Sequence, residues 1–312
     1  VIVVCGEALM DVFDAGPHAR GEHLDARIGG SPFNVAVGLS RLQQAVMFCG
    51  GISRRFLGQR LLQGLRDEGV DTRAVELLDA PCAVCMVGLD AQGVPAYDFM
   101  GERSADRLVT PAVLAQVPAD VQAVQVGSYA MVVEPVAAMQ RALVERQQAH
   151  SLIAYDPNVR LVVEPDVQRW RDTLTWMAGR SHLLKVSDED LGLLFPGADP
   201  QDMAQAWLAA GVQWVVVTRG AEGASAWHAQ AGRVDVPPVA TQVVDTVGAG
   251  DTFQACLLAG LSERGLLSPQ GVRRLDTHSA REVLAFAATG AALTCSRRGA
   301  DLPRRQELPS LG

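Results

Sequence analysis

The chain has 312 residues, 48% of them hydrophobic and 20% charged, with a formal net charge of -8. This composition fits a globular protein with an extensive core. The negative balance argues against a general nucleic-acid or anionic-membrane binder while allowing a local basic pocket, so small-molecule partners are favoured.

The first segment, "VIVVCGEALMD", lacks a basic leader and is interrupted by Glu7 and Asp11. It reads as a strand over 1–7 and not as a signal peptide. No stretch approaches the ~18 to 20 apolar residues that span a bilayer, and the expectation is a cytoplasmic protein. Residues 12–32 are rich in Gly, His and Asp, and a helix is predicted over 34–44. "CAVCMVGLDAQGVPAYDFM" (82–100) reads as a hairpin with "DAQG" at its turn. A helix over 134–150 leads into a strand at 151–156. Then come a helical stretch near 166–179, a strand at 182–187, a helix around 200–210, a strand at 213–220, and helices near 250–264 and 279–295.

Such alternation predicts βαβ units and an α/β fold, a mainly parallel sheet covered by helices on both faces. The segments that break the rhythm, about 12–32 and 82–106, are expected to form a small β-lid. No repeat, low-complexity tract or long linker interrupts 1–312, which is read as one domain with that lid inserted.

Six cysteines are too few for a disulfide scaffold in a chain this size. Cys82 and Cys85 spell C-x-x-C, but on a strand residues three apart face opposite sides, which makes a poor metal clamp. Lysine occurs once, at Lys185. The expectation is therefore that any phosphate clamp uses arginine, backbone N–H groups or a metal.

No Gly-Lys dipeptide exists, which excludes the P-loop. "GAGDTF" (248–253) has Phe253 where a dinucleotide fingerprint needs glycine, and it lies late in the chain. What remains is a turn, Gly248-Ala249-Gly250, opening a helix whose unpaired N–H groups suit an anion. Asp251 at the helix start is either a plain N-cap or the acceptor of a proton from an attacking hydroxyl, a role suited to a loose phosphoryl-transfer transition state. Asp11 lies just past the first strand, at the sheet edge where open α/β folds bind ligands. In "GGSPFN", Gly29 and Gly30 form a hinge and Asn34 leads a helix, as an N-cap or, with Asp11, as a grip on polyol hydroxyls.

"GGSPFNVA" and "DTVGAGDTF" together resemble the two signatures of the ribokinase-like (PfkB) carbohydrate kinases, and the similarity runs from "GEALMD" to "CSRRGAD". The resemblance implies an ATP-dependent sugar kinase with a Rossmann-like core and a β-lid, with Asp251 as catalytic base and Gly248, Ala249 and Gly250 as anion hole. Asp11, Gly30 and Asn34, with Gly29 beside them, would contact the sugar. "VTRGAEGA" resembles the nucleotide strand and loop, implicating Thr218, Gly220 and Gly223. Where the family usually carries N-x-x-E, this chain has Ser187 and Asp190, so Mg²⁺ use is expected with altered geometry. By matching position, Asp245 and the carbonyls of Val247, Thr294 and Gly299 are candidates for a monovalent cation, making K⁺ an expected activator.

"YDFMGERSAD", "GSYAMVVEP" and "YDPNVR" resemble bacterial fructokinases. Phe99 and Ala105 would close over the sugar, and Arg160 would reach toward sugar or phosphates. Arg160 also suits the carboxylate of a sugar acid such as 2-keto-3-deoxygluconate, and a non-catalytic sugar- or nucleotide-binding regulator is the alternative outside enzymes. The open strand edges of the lid imply a homodimer.

Overall fold

The computed structural model describes residues 1–89 and 95–311; the turn expected at 90–93 lies outside the described residues. In chain order the elements begin with β1 (Ile2–Cys5), β2 (Leu9–His18), β3 (Gly21–Gly29), α1 (Ser31–Arg41), β4 (Val46–Ser53), α2 (Phe56–Asp67), β5 (Val75–Leu78), β6 (Ala83–Leu89), β7 (Pro95–Met100), α3 (Ala105–Leu108) and β8 (Ala123–Gly127). They continue with α4 (Val136–Gln147), β9 (Leu152–Asp156), α5 (Val167–Ala178), β10 (Leu183–Ser187), α6 (Asp188–Leu194), α7 (Pro200–Ala210), β11 (Trp214–Thr218), β12 (Ala224–His228), β13 (Gly232–Val236), α8 (Ala249–Glu263), α9 (Pro269–Arg273) and α10 (Thr277–Cys295).

Nine strands form one sheet in the order β13-β12-β11-β10-β9-β8-β1-β4-β5. It is parallel from β11 through β5, and β12 and β13 add an antiparallel edge. Alternation along β1 shows why both faces are covered. Ile2 and Val4 enter a core with α1, α2, α8 and α10, while Val3 and Cys5 enter a second core with α4, α5 and α7. Helix boundaries follow local chemistry. Asp199 accepts from the N–H groups of Gln201 and Asp202, Pro200 fills the first turn of α7, and Gly211 at φ 125° ends it.

A second sheet of four strands, ordered β3-β2-β6-β7, is formed by the segments that break the α/β rhythm. Asp11 is not at the edge of the large sheet, as its position past β1 had implied, but inside β2 of the small one. The alternation "LMDVFD" explains this: Met10 and Val12 are buried against the α2 side while Asp11 points the other way. Asp11 pairs with Arg27 and Cys85, and Cys85 pairs with Phe99, so these four side chains form a row across one face.

Helix α1 starts at Ser31 rather than Asn34, because Gly30 at φ 101° turns the chain and Pro32 occupies the first turn. None of the helices among the described residues is long and apolar enough to cross a membrane.

Candidate active site

Asp251 is the third residue of α8, whose N-cap is Gly248 at φ 79°, so its carboxylate is not the cap. A Cβ on Gly248 would lie 2.7 Å from Ala300 Cβ, which with the left-handed backbone restricts the position to glycine. Thr252 is the first residue of α8 to close a bond to the residue four before it, Gly248, at 2.8 Å. The N–H groups of Gly250 and Asp251 precede it and lack an intrahelical carbonyl.

The Asp251 carboxylate instead receives two side chains from α1, Ser31 Oγ at 2.6 Å and Asn34 Nδ2 at 2.8 Å. Asn34 is therefore neither N-cap nor free, and Ser31 belongs to the site although sequence reasoning passed it over. A carboxylate offers about four acceptor positions; two remain after these bonds.

The Asp11 carboxyl lies close enough to Asp251 and Arg160 to feel both charges. Burial, more than the neighbouring Asp251 carboxylate, pushes it up to about 6 against the pull of Arg160. Gly29 makes room for it: a Cβ there would stand 2.0 Å from Asp11 Oδ2, and one on Gly30 would meet the Glu7 carbonyl at 2.9 Å. Behind them Glu7 is buried, its Oε2 has no partner, and desolvation raises its carboxyl to about 8 despite a hydrogen bond with Ser128. Phe99 packs edge-on against Tyr129 with centroids 5.4 Å apart, and the Arg107 guanidinium lies over both rings. Ala105 is buried with its carbonyl against Gly51.

Ser187 and Asp190 form a capping box at the start of α6: Ser187 Oγ accepts the Asp190 N–H at 3.0 Å. Asp190 Oδ1 also accepts the Val159 N–H at 2.8 Å, which fixes the loop that carries Arg160. Thr218 pairs with Ser187 across β10 and β11. Gly220 and Gly223, both at positive φ, shape the tight connection from β11 to β12.

Asp245 braces two segments, accepting from the Val247 N–H at 3.1 Å and the Gly299 N–H at 2.8 Å. Thr294 Oγ1 lies 2.8 Å from Thr252 Oγ1 on α8. The four residues expected around a monovalent cation thus belong to one connected neighbourhood beside the Gly248 turn. Arg27 of β3 reaches the same place, with a guanidinium nitrogen 3.0 Å from where a Gly299 Cβ would be.

A third group was invisible to the motif search. Lys185 is 3% exposed, binds Asp156 Oδ2 at 2.6 Å, and sits with its ammonium 3.4 Å from where a Cβ on Gly250 would lie. The lysine that the sequence reading left out of any phosphate clamp therefore stands beside the Gly248 turn. A signal existed: "HLLKVS" places a charge inside a strand whose neighbours are apolar, unusual for a parallel strand buried on both faces. Asp156 Oδ1 is buried without a partner, and burial lifts this carboxyl to about 6 against the pull of Lys185.

No three His, Cys, Asp or Glu side chains converge as a metal cage among the described residues. A separate cleft of about 360 Å³ beside residues 297–307 is lined by Arg41, Arg297, Asp301 and Glu307, whose charges pair with one another, and it shares no residue with this cluster.

Comparison with known proteins extends over nearly the whole chain. The model of the pfkB family carbohydrate kinase matches residues 1–307. A fructokinase of Rhizobium leguminosarum bv. trifolii is 34% identical over 90% of this chain and 86% of its own length. A fructokinase of Klebsiella pneumoniae is 33% identical over 98% and 97%. Among solved structures, a fructokinase from Xylella fastidiosa with bound ATP superposes with a TM-score of 0.85 at 26% identity, over 99% of this chain and 95% of that one. One from Vibrio cholerae O395 in a fructose-, ADP- and calcium-bound form gives 0.79 at 25%, over 96% and 94%. The Rossmann-like α/β architecture of the large sheet is shared with these structures.

Proposed function

The chain belongs to the pfkB family of carbohydrate kinases, and on that premise we propose that it transfers the γ-phosphoryl group of ATP to a hydroxyl of fructose. The observation that carries the residue assignment is the junction of the two signatures. Ser31 and Asn34 from the first hold the carboxylate of Asp251 from the second, at the start of a helix with free N–H groups.

In this reading the sugar lies between the row Arg27–Asp11–Cys85–Phe99 and the α8 turn. Asp11 and Asn34 accept from and donate to its hydroxyls, Gly29 and Gly30 let it approach, and Phe99 and Ala105 border it. Asp251 takes the proton of the attacking hydroxyl as the new O–P bond forms and the bond from the γ-phosphorus to the β-bridging oxygen breaks, leaving ADP. The N–H groups of the Gly248–Ala249–Gly250 turn receive the charge that builds on the phosphoryl oxygens, Gly250 with its N–H open and Ala249 with its N–H released from the Thr246 carbonyl it holds at 3.2 Å. Thr218, Gly220 and Gly223 border the nucleotide. The small sheet acts as the lid of a single domain.

Mg²⁺ would arrive on the nucleotide phosphates and neutralise their charge. The fit is to water-mediated contact: Asp190 is engaged in its cap, and Asp156 Oδ1 is the nearby carboxylate oxygen still without a partner. K⁺ would be held by Asp245 and the carbonyls of Val247, Thr294 and Gly299, a set that Asp245 already draws together. A potassium-bound form is described for a double mutant of the Vibrio cholerae fructokinase.

Arg160 acts on Asp11, a carboxyl that stands where a sugar acid would bring a second. That environment favours a neutral hexose over 2-keto-3-deoxygluconate. We further place the protein in the cytoplasm as a homodimer through the small sheet, whose edge strands expose Leu24, Tyr97 and Met100; light scattering showing monomer alone would overturn this.

The test of the whole reading is ADP release with ATP and Mg²⁺, with and without K⁺, across fructose, glucose, ribose, 2-keto-3-deoxygluconate and adenosine. A fructose-selective rate supports it. Selectivity for the keto acid transfers Arg160 to a carboxylate clamp, and no turnover on any of the five favours the binding regulator.

A further inference from the structure

The single lysine of the chain stands where a stability argument would not put it. Alternation along β10 sends Leu183 and Lys185 to the face covered by α8, and Leu184 and Val186 to the other. Helical Cβ atoms tilt toward the N-terminus, so an ammonium against the missing Cβ of Gly250 lies beside the first turn of α8. That is the positive end of the helix, where a cation is disfavoured and an anion favoured.

Asp156 pairs with this charge, and the Asp190 and Asp251 carboxylates lie close enough to act on the pair. One Asp156 oxygen holds Lys185 at 2.6 Å, and the other is buried with no partner. A buried ion pair is seldom more stable than an apolar pair of similar size, and an unsatisfied buried oxygen adds a further cost. Burial, a like-signed helix end and an incomplete partner set all count against the arrangement as scaffolding. The open Asp156 oxygen suits a donor or a cation, while an ammonium with donors left over at the positive end of a helix suits a further anion.

We propose that Lys185 is a further phosphoryl-binding residue: its ammonium, positioned by Asp156, contacts the transferring phosphoryl group beside the N–H groups of the Gly248–Gly250 turn. This rests on the reading of that turn as the anion hole. An ammonium has three donors and Asp156 takes one, which leaves two for the phosphoryl oxygens.

The experiment measures kcat, the KM for fructose and thermal stability in Lys185→Met and in the neutral double variant Lys185→Met/Asp156→Asn, with Asp251→Asn alongside. The expected result is a fall in kcat of about a hundredfold or more in both Lys185 variants. Fructose KM should stay within about threefold, and inhibition by ADP with aluminium fluoride, which mimics the transferring group, should weaken in parallel with kcat.

If the double variant regains kcat to within about tenfold of wild type, Lys185 only neutralises Asp156 and the proposal fails. It fails equally if Lys185→Met alone keeps more than a tenth of kcat, or if neither variant folds, since that would make the pair structural. Asp251→Asn separates the two ideas. If it is inactive while Lys185→Met works, the catalytic reading of the site stands without the lysine; if it is active, that reading itself falls.

Discussion

Replacing Asp251 by Asn removes a proton acceptor with almost no change of shape, and the structure indicates how the rest of the site responds. The carboxylate now accepts from Ser31 at 2.6 Å and Asn34 at 2.8 Å. An asparagine can keep its carbonyl toward the Asn34 amide and turn its own amide toward Ser31, whose hydroxyl rotates to accept. Two charge-assisted bonds of roughly 1.5–3 kcal/mol become two neutral ones of about 1. The variant also no longer buries a charge, which offsets part of that loss. The net cost to folding is then about 1–2 kcal/mol, a Tm shift of a few degrees for a chain of this size. Turnover should respond quite differently, because loss of a positioned base costs about 10² to 10⁴ in rate, or roughly 3–5 kcal/mol of barrier. Coupled-enzyme detection of ADP at saturating fructose and ATP, together with thermal melts, reads both quantities. Asp251→Asn keeping more than a tenth of wild-type kcat would refute its role as base; a melt lowered by more than about 15 °C would show that the hydrogen-bond exchange is wrong.

Gly248→Ala tests the turn itself. A left-handed backbone costs about 1–2 kcal/mol for alanine, and the new methyl would stand 2.7 Å from Ala300 Cβ. Denaturant titration should therefore show a loss of at least about 2 kcal/mol, and an unchanged midpoint would contradict the geometry. Asp11 provides a pH test. Its carboxyl, raised to about 6 chiefly by burial, is ionised above that pH and protonated below it, so the KM for fructose should rise as pH falls through about 6. In Asp11→Asn that rise should flatten; a KM profile identical to wild type would remove Asp11 from the sugar contacts.

The regular half of the architecture was legible because period and composition agree. The strands at 151–156, 182–187 and 213–220 appear within two residues of expectation, as do the helices near 166–179 and 279–295. The small sheet was harder. Residues 12–32 were expected in a small β-lid, but their Gly, His and Asp hid the strand bounds, which are set by Met10, Val12 and Ile28 finding the α2 side to cover them. Asn34 and Asp251 were both assigned possible caps from residue type alone. Each lies inside its helix, since Gly30 and Gly248 start the helices by backbone shape rather than by a side chain. Glu7 and Asp156 stand inside "GEALMD" and "YDPNVR", and Lys185 was noted as the lone lysine, yet none of the three was given a role. Their importance comes from strands far apart in sequence placing charges side by side, which only the folded sheet reveals.

The junction of α8 with α10 has one further consequence. Gly290 of α10 lies so close to α8 that a methyl there would strike the Cys256 sulfur at 2.5 Å, and the Thr252 and Thr294 hydroxyls tie the two helices at the residue after Asp251. Two rods locked so tightly can shift only as one body, and they are anchored over the large sheet. On the proposed assignment, the half of the site that carries Asp251 is then a fixed anvil. Whatever adjustment in-line transfer demands must come from the sugar-bearing strands, so substitutions that loosen the α8–α10 seam should slow turnover without touching either substrate.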